Sequence, residues 1–119
     1  KIQEEDISTL ENNIDIISEK LPKIDKFIIP GGHQKVSYCH IARSVCRRAE
    51  RSLVSAHESE PIEKSCIIYV NRLSDFLFVL ARKVNLDNGF KESQITNSQF
   101  NNFKKLCNKN CNKNCYFFS

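Results

Sequence analysis

The fold is decided by two stretches of sequence, H-I-A-R-S-V-C-R-R-A-E-R at residues 40–51 and V-N-R-L-S-D-F-L-F-V-L-A-R at residues 70–82. In both, charged side chains recur among apolar ones at helical spacing. In the first stretch Arg43, Arg47 and Arg51 are four residues apart. The stretch therefore predicts a helix with a row of arginines on one face.

The second stretch predicts a helical face of mixed character. It is formed by residues at i, i+4, i+7 and i+11, namely Asn71, Asp75, Phe78 and Arg82. Large apolar residues surround Asp75, so its carboxylate requires a cationic partner, which we expect to be an arginine of the preceding helix. Asn71 has donors and acceptors that either contact a nucleotide or bridge two helices.

The rest of the pattern is also helical. Apolar residues at spacings of three and four predict an amphipathic helix at residues 3–20, and two longer helices follow at residues 34–57 and 62–85. The last helix is apolar on several sides, which predicts a central position, and the short turn before it favours an antiparallel pair. No segment alternates convincingly as a strand. The sequence therefore predicts an all-α helical bundle.

Composition limits the classes of protein that this chain can be. The length of 119 residues suggests one domain, and a net charge of +4 does not by itself indicate nucleic acid binding. There is no run of about 18 apolar residues, so no transmembrane helix is expected. Cys39, Cys46 and Cys66 lie among apolar residues of the predicted helices, as free thiols do. We expect a soluble protein of a reducing compartment, either the cytoplasm or the mitochondrial matrix.

The end of the chain has a biased composition. Residues 107–119 repeat Asn, Lys and Cys, and we predict a low-complexity tail after a bundle domain at residues 1–106. Cys107, Cys111 and Cys115 recur every four residues, but structural zinc requires four ligands at other spacings. No metal ligand is predicted.

The arginine row has two interpretations. Guanidinium groups pair bidentately with phosphate oxygens, so the row is suited to a triphosphate or another polyanion. Alternatively, the row forms structural ion pairs. The candidate carboxylates for such pairs are Glu50, Asp75 and Glu63. Arg43 and Arg47 are the better site candidates because Ala42 and Cys46 beside them are expected to be buried, whereas Arg51 is expected to be solvated.

Phe27 lies in the connection between the first two helices, within the apolar triplet that precedes Pro-Gly-Gly. It fits either a core aromatic residue or a cover over a planar ligand. His40 lies on the same side of its helix as Arg43 and Arg47, and a lone histidine is more often structural than catalytic.

Three motifs together resemble a known family. These motifs are F-I-I-P-G-G at residues 27–32 and the two stretches quoted above. They closely resemble the PduO-type ATP:cob(I)alamin adenosyltransferases over roughly residues 21–85. The resemblance implies a homotrimer of helical bundles with the active site between neighbouring subunits. It also implies transfer of the 5′-deoxyadenosyl group of ATP to cob(I)alamin, with release of triphosphate and assistance from Mg²⁺.

The resemblance implies roles for individual residues. Phe27 matches the phenylalanine that packs under the corrin ring and excludes the lower axial ligand. The implied catalytic residues are Arg43, which matches an arginine paired with an aspartate of a neighbouring subunit, and Arg47, which matches an ATP-contacting position. Asn71 matches another ATP-contacting position. The rest of the implied binding set is Glu50, Arg51, Asp75 and Phe78.

One family motif does not occur in these residues. It is the Gly/Thr-rich phosphate-binding segment T-K-T-G-D-x-G, and we expect this N-terminal ATP-binding segment to be missing. The aspartate that would pair with Arg43 belongs to the same region of the family.

The implied partners are ATP and a corrinoid, further copies of the chain, and a cobalamin reductase or a B12-dependent acceptor enzyme. Neither nucleic acid nor a membrane is expected. Two alternatives to the enzyme stay open. One is a non-catalytic or truncated homologue that binds cobalamin or only assembles as a helical-bundle trimer. The other is an arginine-faced helical module that binds RNA or another polyanion and therefore shows steep salt dependence.

Overall fold

The computed structural model describes residues 1–24, 28–29, 32–90 and 93–94. The described elements are helix α1 at Glu4–Ser18, strand β1 at Ile28–Ile29, helix α2 at Gln34–Ser59, helix α3 at Lys64–Asp87 and strand β2 at Ser93–Gln94. The all-α prediction is confirmed, and every helix end lies within two residues of its predicted position. The two short strands pair antiparallel, with Ile28 opposite Gln94, and were not predicted.

The helices and the strand pair belong to two different units of the chain. The helical unit comprises Lys1–Lys23 and Pro30–Glu92, and the strands belong to the other unit. The predicted boundary between a domain at residues 1–106 and a tail at residues 107–119 lies outside the described residues, so it stays a prediction.

Helix α3 is the central element of the helical unit. It packs against both α1 and α2, which do not contact each other in the described part of the chain. The prediction that this helix is enclosed on several sides is therefore confirmed. Its buried residues are Ser74, Val79, Ala81, Arg82 and Asn85. The apolar stripe of α1, which includes Ile7, Leu10, Ile14 and Ile17, is half-buried.

Helices α2 and α3 form the predicted antiparallel pair. Arg43, early in α2, lies over Phe78 of α3, whereas the later Glu50 accepts a hydrogen bond from the earlier Asn71. The turn between the helices is fixed by His57, whose Nδ1 accepts a hydrogen bond from the backbone N–H of Ile62 at 3.0 Å. Residues far apart in sequence are thereby placed at one interhelical seam.

The outer face of α2 is apolar and uncovered in the helical unit. Tyr38 and Ile41 are each 60% exposed and Val45 is 50% exposed, at spacings that place them on one side of the helix. Ala42, which was expected to be buried, is also exposed. The reason is that α2 packs against α3 alone, so its opposite face has no neighbour among the described helices.

The cysteines that the structure describes are free. Cys39, Cys46 and Cys66 form no disulfide, as predicted, and Cys107, Cys111 and Cys115 lie outside the described residues. None of the helices described here is both long enough and apolar enough to cross a bilayer.

Candidate functional site

Six of the predicted site residues meet at the seam between α2 and α3. This interhelical cluster consists of Arg43, Arg47, Glu50, Asn71, Asp75 and Phe78. The first three lie on α2 at steps of four and three residues, and the last three lie on α3 at steps of four and three. Equal helical spacing on two antiparallel helices brings both sets to the shared seam.

Arg43 has the least satisfied polar group of the cluster. Its Cζ lies 5.1 Å from the centroid of the Phe78 ring, a cation–π contact. Its Nε is buried and has no hydrogen-bond partner among the residues that the structure describes. Burial lowers the pKa of Arg43, the charge of Arg47 lowers it further, and Asp75 partly opposes both effects. The guanidinium remains charged, so an acceptor for this buried N–H would stabilise it.

A chain of hydrogen bonds connects the two helices beside Arg43. The amide Nδ2 of Asn71 donates to Oε1 of Glu50 at 2.9 Å. The amide oxygen of Asn71 accepts from Nη1 of Arg72 at 3.3 Å. Asn71 therefore bridges α2 and α3, which was one of its two predicted roles, and its amide still has one N–H that these bonds do not use.

Arg72 was not among the predicted site residues. Its Nε donates to Oε1 of Glu11 in α1 at 2.9 Å, and its Nη1 donates to Oδ2 of Asp75 at 3.2 Å. The hydrogen bond to Glu11 is the main reason why the pKa of Arg72 is raised, and Asp75 adds to it. Arg72 thus connects α1 to the cluster. Spacing within one helix gives no signal for a partner 61 residues away.

Asp75 has a hydrogen-bond donor that was not predicted. This donor is Arg72, three residues earlier in the same helix. The Asp75 side chain is 42% exposed, so its apolar neighbours in sequence do not enclose it. Residues three apart on a helix are surface neighbours, and this local pair forms without any tertiary contact. Arg43 is close enough for Asp75 to raise its pKa.

The three carboxylates of the structural ion-pair interpretation each have a partner outside the arginine row. Glu50 accepts from Asn71, Asp75 accepts from Arg72, and Glu63 lies 3.6 Å from the ammonium group of Lys1. None of the three provides an acceptor for the buried Nε of Arg43. An acceptor for that N–H would therefore have to come from outside the described residues.

Two predicted site residues are not part of the cluster. Phe27 lies outside the residues whose side chains the structure describes. Arg51 is exposed, as expected, and lies with Arg48 at a surface depression of about 470 Å³. The other residues of this depression are Ser52, Ser55, Ala56 and Ser59. Because all of them belong to α2, the depression would hold a ligand from one side only.

Cys46 is the buried apolar neighbour that was expected beside the arginines. It is 8% exposed, and its Sγ–H donates to the carbonyl oxygen of Val70 at 3.2 Å. Burial raises the pKa of the Cys46 thiol, and the negative charge of Glu50 raises it further. Cys46 thus packs between the helices with its thiol hydrogen-bonded to the backbone. Within residues 1–24 and 32–90, no group of three or more His, Cys, Asp or Glu side chains is arranged to hold a metal ion.

His40 lies next to Arg43 and is half-buried. Burial lowers the pKa of His40 below its usual value of 6.5, and the charge of Arg43 lowers it further. In the window between the folded pKa and about 6.5, the unfolded chain therefore binds more protons than the folded chain.

Acidification through this window is expected to destabilise the fold. The free energy of unfolding should fall as the pH decreases below about 6.5, because protonation of His40 is then more favourable in the unfolded state. Urea unfolding from about pH 7.5 to about pH 5 measures the slope. A His40→Gln variant should have a smaller slope in this window, and an unchanged slope would assign the effect to other groups.

The sequence of this chain matches a known protein family. The family model described as cobalamin adenosyltransferase matches residues 1–84. The chain belongs to the cobalamin adenosyltransferase family. The resemblance that the three motifs indicated is thereby confirmed.

The relatives of this adenosyltransferase-family chain agree with the assignment. The corrinoid adenosyltransferase of Bacillus subtilis is 43% identical over 98 residues, which cover 82% of this chain and 51% of the relative. The cobalamin adenosyltransferase of Cupriavidus metallidurans is 49% identical over 69 residues, which cover 58% of this chain and 38% of the relative. The chain thus spans about half the length or less of these two relatives.

A solved structure shares the fold of this adenosyltransferase-family chain. It is a variant PduO-type ATP:corrinoid adenosyltransferase from Lactobacillus reuteri, complexed with cobalamin and ATP. The TM-score is 0.78 at 37% identity, over 82% of this chain and 54% of the other. The α2–α3 seam therefore belongs to a fold that this chain shares with a protein solved in complex with cobalamin and ATP.

Proposed function

We propose that this chain forms part of an enzyme that transfers the 5′-deoxyadenosyl group of ATP to cob(I)alamin, giving adenosylcobalamin and triphosphate. The observation that carries the proposal is the pair of neighbouring arginines at the α2–α3 seam, where the buried Nε of Arg43 has no acceptor among the described residues. Two adjacent guanidinium groups with a free donor are suited to an anion. The Lactobacillus reuteri relative supports ATP as that anion, because it was solved with ATP and cobalamin.

The arginines have a defined task in this reaction. Cobalt of the substrate cob(I)alamin donates an electron pair to C5′ of ATP, and the C5′–O bond breaks with its electrons going to the triphosphate. Negative charge therefore increases on the leaving group. Arg47, with Arg43 beside it, would stabilise that charge, because donors fixed before the reaction lower the barrier most where charge develops. The unused N–H of Asn71 is directed by Glu50 and would contact the nucleotide.

Mg²⁺ is proposed as the counter-ion of the triphosphate. It usually keeps several waters and is bound by phosphate oxygens with one or two carboxylates. Glu50 and Asp75 are the carboxylates of the interhelical cluster. Neutralising the triphosphate would add to the effect of the arginines.

We propose that the corrinoid lies beside Phe78. Phe78 is half-buried at the seam, under the guanidinium of Arg43. By family resemblance, Phe27 packs under the corrin ring and excludes the lower axial ligand. A cobalt without that ligand is more easily reduced, which favours the nucleophilic cob(I) state. The same chemistry requires a reducing partner, which we propose is a cobalamin reductase, and a B12-dependent enzyme would accept the product.

We propose that the enzyme is a homotrimer with its active site between subunits. The exposed stripe of Tyr38, Ile41 and Val45 supports this, because large apolar side chains that are half or more exposed on one helical face are typical of a protein interface. Arg43 lies on the same helix, and its Nε has no acceptor within the part of the chain that the structure describes. A carboxylate from a neighbouring subunit would satisfy it, as the family resemblance implies.

An anaerobic assay tests the proposed reaction. The full-length protein is mixed with cob(I)alamin, ATP and Mg²⁺, and the cob(I)alamin absorption spectrum is followed. We expect the spectrum to be lost at a rate proportional to enzyme concentration and only with ATP present. Binding of corrinoid without turnover would instead identify a non-catalytic homologue. Binding of neither substrate, together with salt-sensitive binding of RNA or polyphosphate, would identify a polyanion-binding module.

A further inference from the structure

Arg72 of α3 binds three acceptors with one guanidinium group. Its Nε donates to Oε1 of Glu11 at 2.9 Å. Its Nη1 donates to Oδ2 of Asp75 at 3.2 Å and to Oδ1 of Asn71 at 3.3 Å. A guanidinium is planar and its N–H groups point in fixed directions, so acceptors on two of its nitrogens define its orientation. Two carboxylates beside one guanidinium offset its charge, so Arg72 is poorly suited to bind a phosphate itself.

The contact between Arg72 and Asn71 does not follow from helical geometry. Adjacent residues of a helix point about 100° apart, so their side chains do not ordinarily meet. Here Asp75, one turn later on α3, and Glu11, from α1, hold the guanidinium where it reaches the Asn71 amide. Glu11 is in reach because α1 packs against α3. The contact therefore depends on α1, which contributes no other side chain to it.

Asn71 is held in one amide orientation by its two partners. Its Oδ1 accepts from Arg72, and its Nδ2 donates to Oε1 of Glu50 at 2.9 Å. Turning the amide over would place its N–H groups against a cation and its oxygen against a carboxylate, so both hydrogen bonds would be lost. The second N–H of Nδ2 thereby has a fixed direction. Without Arg72, the bond to Glu50 would be the weaker constraint that is left, because it leaves the amide oxygen unbound.

Stability alone gives little reason for this arrangement. The side chains of Arg72 and Glu11 are 39% and 48% exposed, and that of Asp75 is 42% exposed. Ion pairs between exposed side chains add little to the free energy of folding, because solvent screens them and both side chains lose conformational freedom. A donor that is directed before its ligand binds adds to affinity instead, because the ligand does not have to order it.

We propose that Arg72, anchored by Glu11, is a positioning residue that directs the remaining N–H of Asn71 toward the nucleotide. This inference rests on the proposed function, in which Asn71 contacts ATP. Arg72 acts through the amide and not on the phosphates, since its own charge is offset by two carboxylates. The nucleotide site thereby extends to α1, whose Glu11 sets the guanidinium that sets the amide.

A double-mutant cycle between Arg72 and Asn71 in the full-length protein tests the inference. Arg72→Lys keeps the cation but cannot bind the three acceptors in one plane. We expect it to weaken equilibrium binding of ATP with Mg²⁺ by about fivefold to tenfold, with the KM for corrinoid changed by about twofold or less. In an Asn71→Ala background the same change should weaken ATP binding by less than about twofold, because the amide through which Arg72 acts is then absent. Equal weakening in the two backgrounds would overturn the inference.

Substitutions at Glu11 separate geometry from charge. Removing a carboxylate near an anion site strengthens anion binding on charge alone. The inference predicts the opposite sign, so Glu11→Ala should weaken ATP binding by about threefold or more, and Glu11→Gln, which keeps an acceptor oxygen, should recover most of that loss. The matched control is Asp15→Ala, which removes an exposed carboxylate one turn later on α1 and should change ATP binding by about twofold or less.

Unchanged or tighter ATP binding in Glu11→Ala would contradict the positioning role of Arg72. Urea unfolding establishes that each variant is folded. If Arg72→Lys does not fold, Glu11→Ala in the wild-type and Asn71→Ala backgrounds provides the same cycle. A wild-type protein that binds no ATP would refute the proposed function and the inference with it, whereas ATP binding with additive effects of the two substitutions would refute the inference alone.

Discussion

Replacing Arg47 with alanine in the full-length protein is expected to lower kcat/KM by about 100-fold or more, because it removes a fixed cationic donor from the departing triphosphate. The free energy of unfolding should change by about 1 kcal/mol or less, since Arg47 is only half-buried. Steady-state kinetics under anaerobic conditions and urea unfolding measure the two quantities.

The matched control for Arg47→Ala is Lys35→Ala, which removes an exposed cation from the same helix. It should leave both quantities near the wild-type values. A loss of stability in Arg47→Ala that accounts for its whole loss of activity would show that Arg47 is structural. Removing Arg47 also relieves the charge repulsion that lowers the pKa of Arg43. A loss of stability in Arg47→Ala would have to exceed this gain, which makes the result informative.

The second largest effect is expected from substitutions at Asn71 and Glu50, whose amide and carboxylate bridge α2 and α3. Asn71→Asp alone places a second carboxylate where the amide lies 2.9 Å from Oε1 of Glu50. Two anions at that distance repel, and a negative charge would face the triphosphate. We expect stability to fall by about 1–3 kcal/mol and the affinity for ATP to fall by about tenfold or more.

The double variant Glu50→Gln with Asn71→Asp restores one amide and one carboxylate with donor and acceptor exchanged. If Asn71 contacts ATP, the double variant should regain stability but not ATP affinity, because the nucleotide then meets a carboxylate at position 71. Recovery of both would show that Asn71 only bridges the helices. Glu50→Gln alone serves as the control for loss of charge at that position. Unfolding and equilibrium ATP binding are measured on all four proteins.

Local spacing predicted much of the site. Steps of three and four residues on two helices identified five residues of the interhelical cluster, namely Arg43, Arg47, Asn71, Asp75 and Phe78. Glu50 was named as a candidate ion-pair partner and by family resemblance, and the same steps also included Arg51 and Arg82, which lie outside the cluster. Because side chains at those steps share a face, and because a short turn joins the helices, the two faces had to meet. The same reasoning predicted free cysteines and a central last helix, both confirmed.

The partners of individual side chains were harder to predict. Asp75 was expected to pair with an arginine of α2, and Arg72 of its own helix was not anticipated as a hydrogen-bond donor to it. Glu11 was not considered, because only the packing of α1 on α3 brings it to Arg72. The choice among several nearby arginines depends on distances of a few ångströms, and these are set by how the helices pack and not by helical periodicity.

The sequence by itself determined three helices, their ends to within two residues, the antiparallel pair and the family, because each depends on local periodicity, turn residues or motif content. Only the tertiary structure decided that Arg43 has a buried donor with no acceptor in the described ranges, and that Arg82 donates to the backbone of Pro22. Arg43 and Arg82 are alike in sequence, each a cation among apolar residues of a helix. They differ in what lies opposite, Phe78 for one and a carbonyl oxygen for the other, and that depends on contacts between residues distant in the chain.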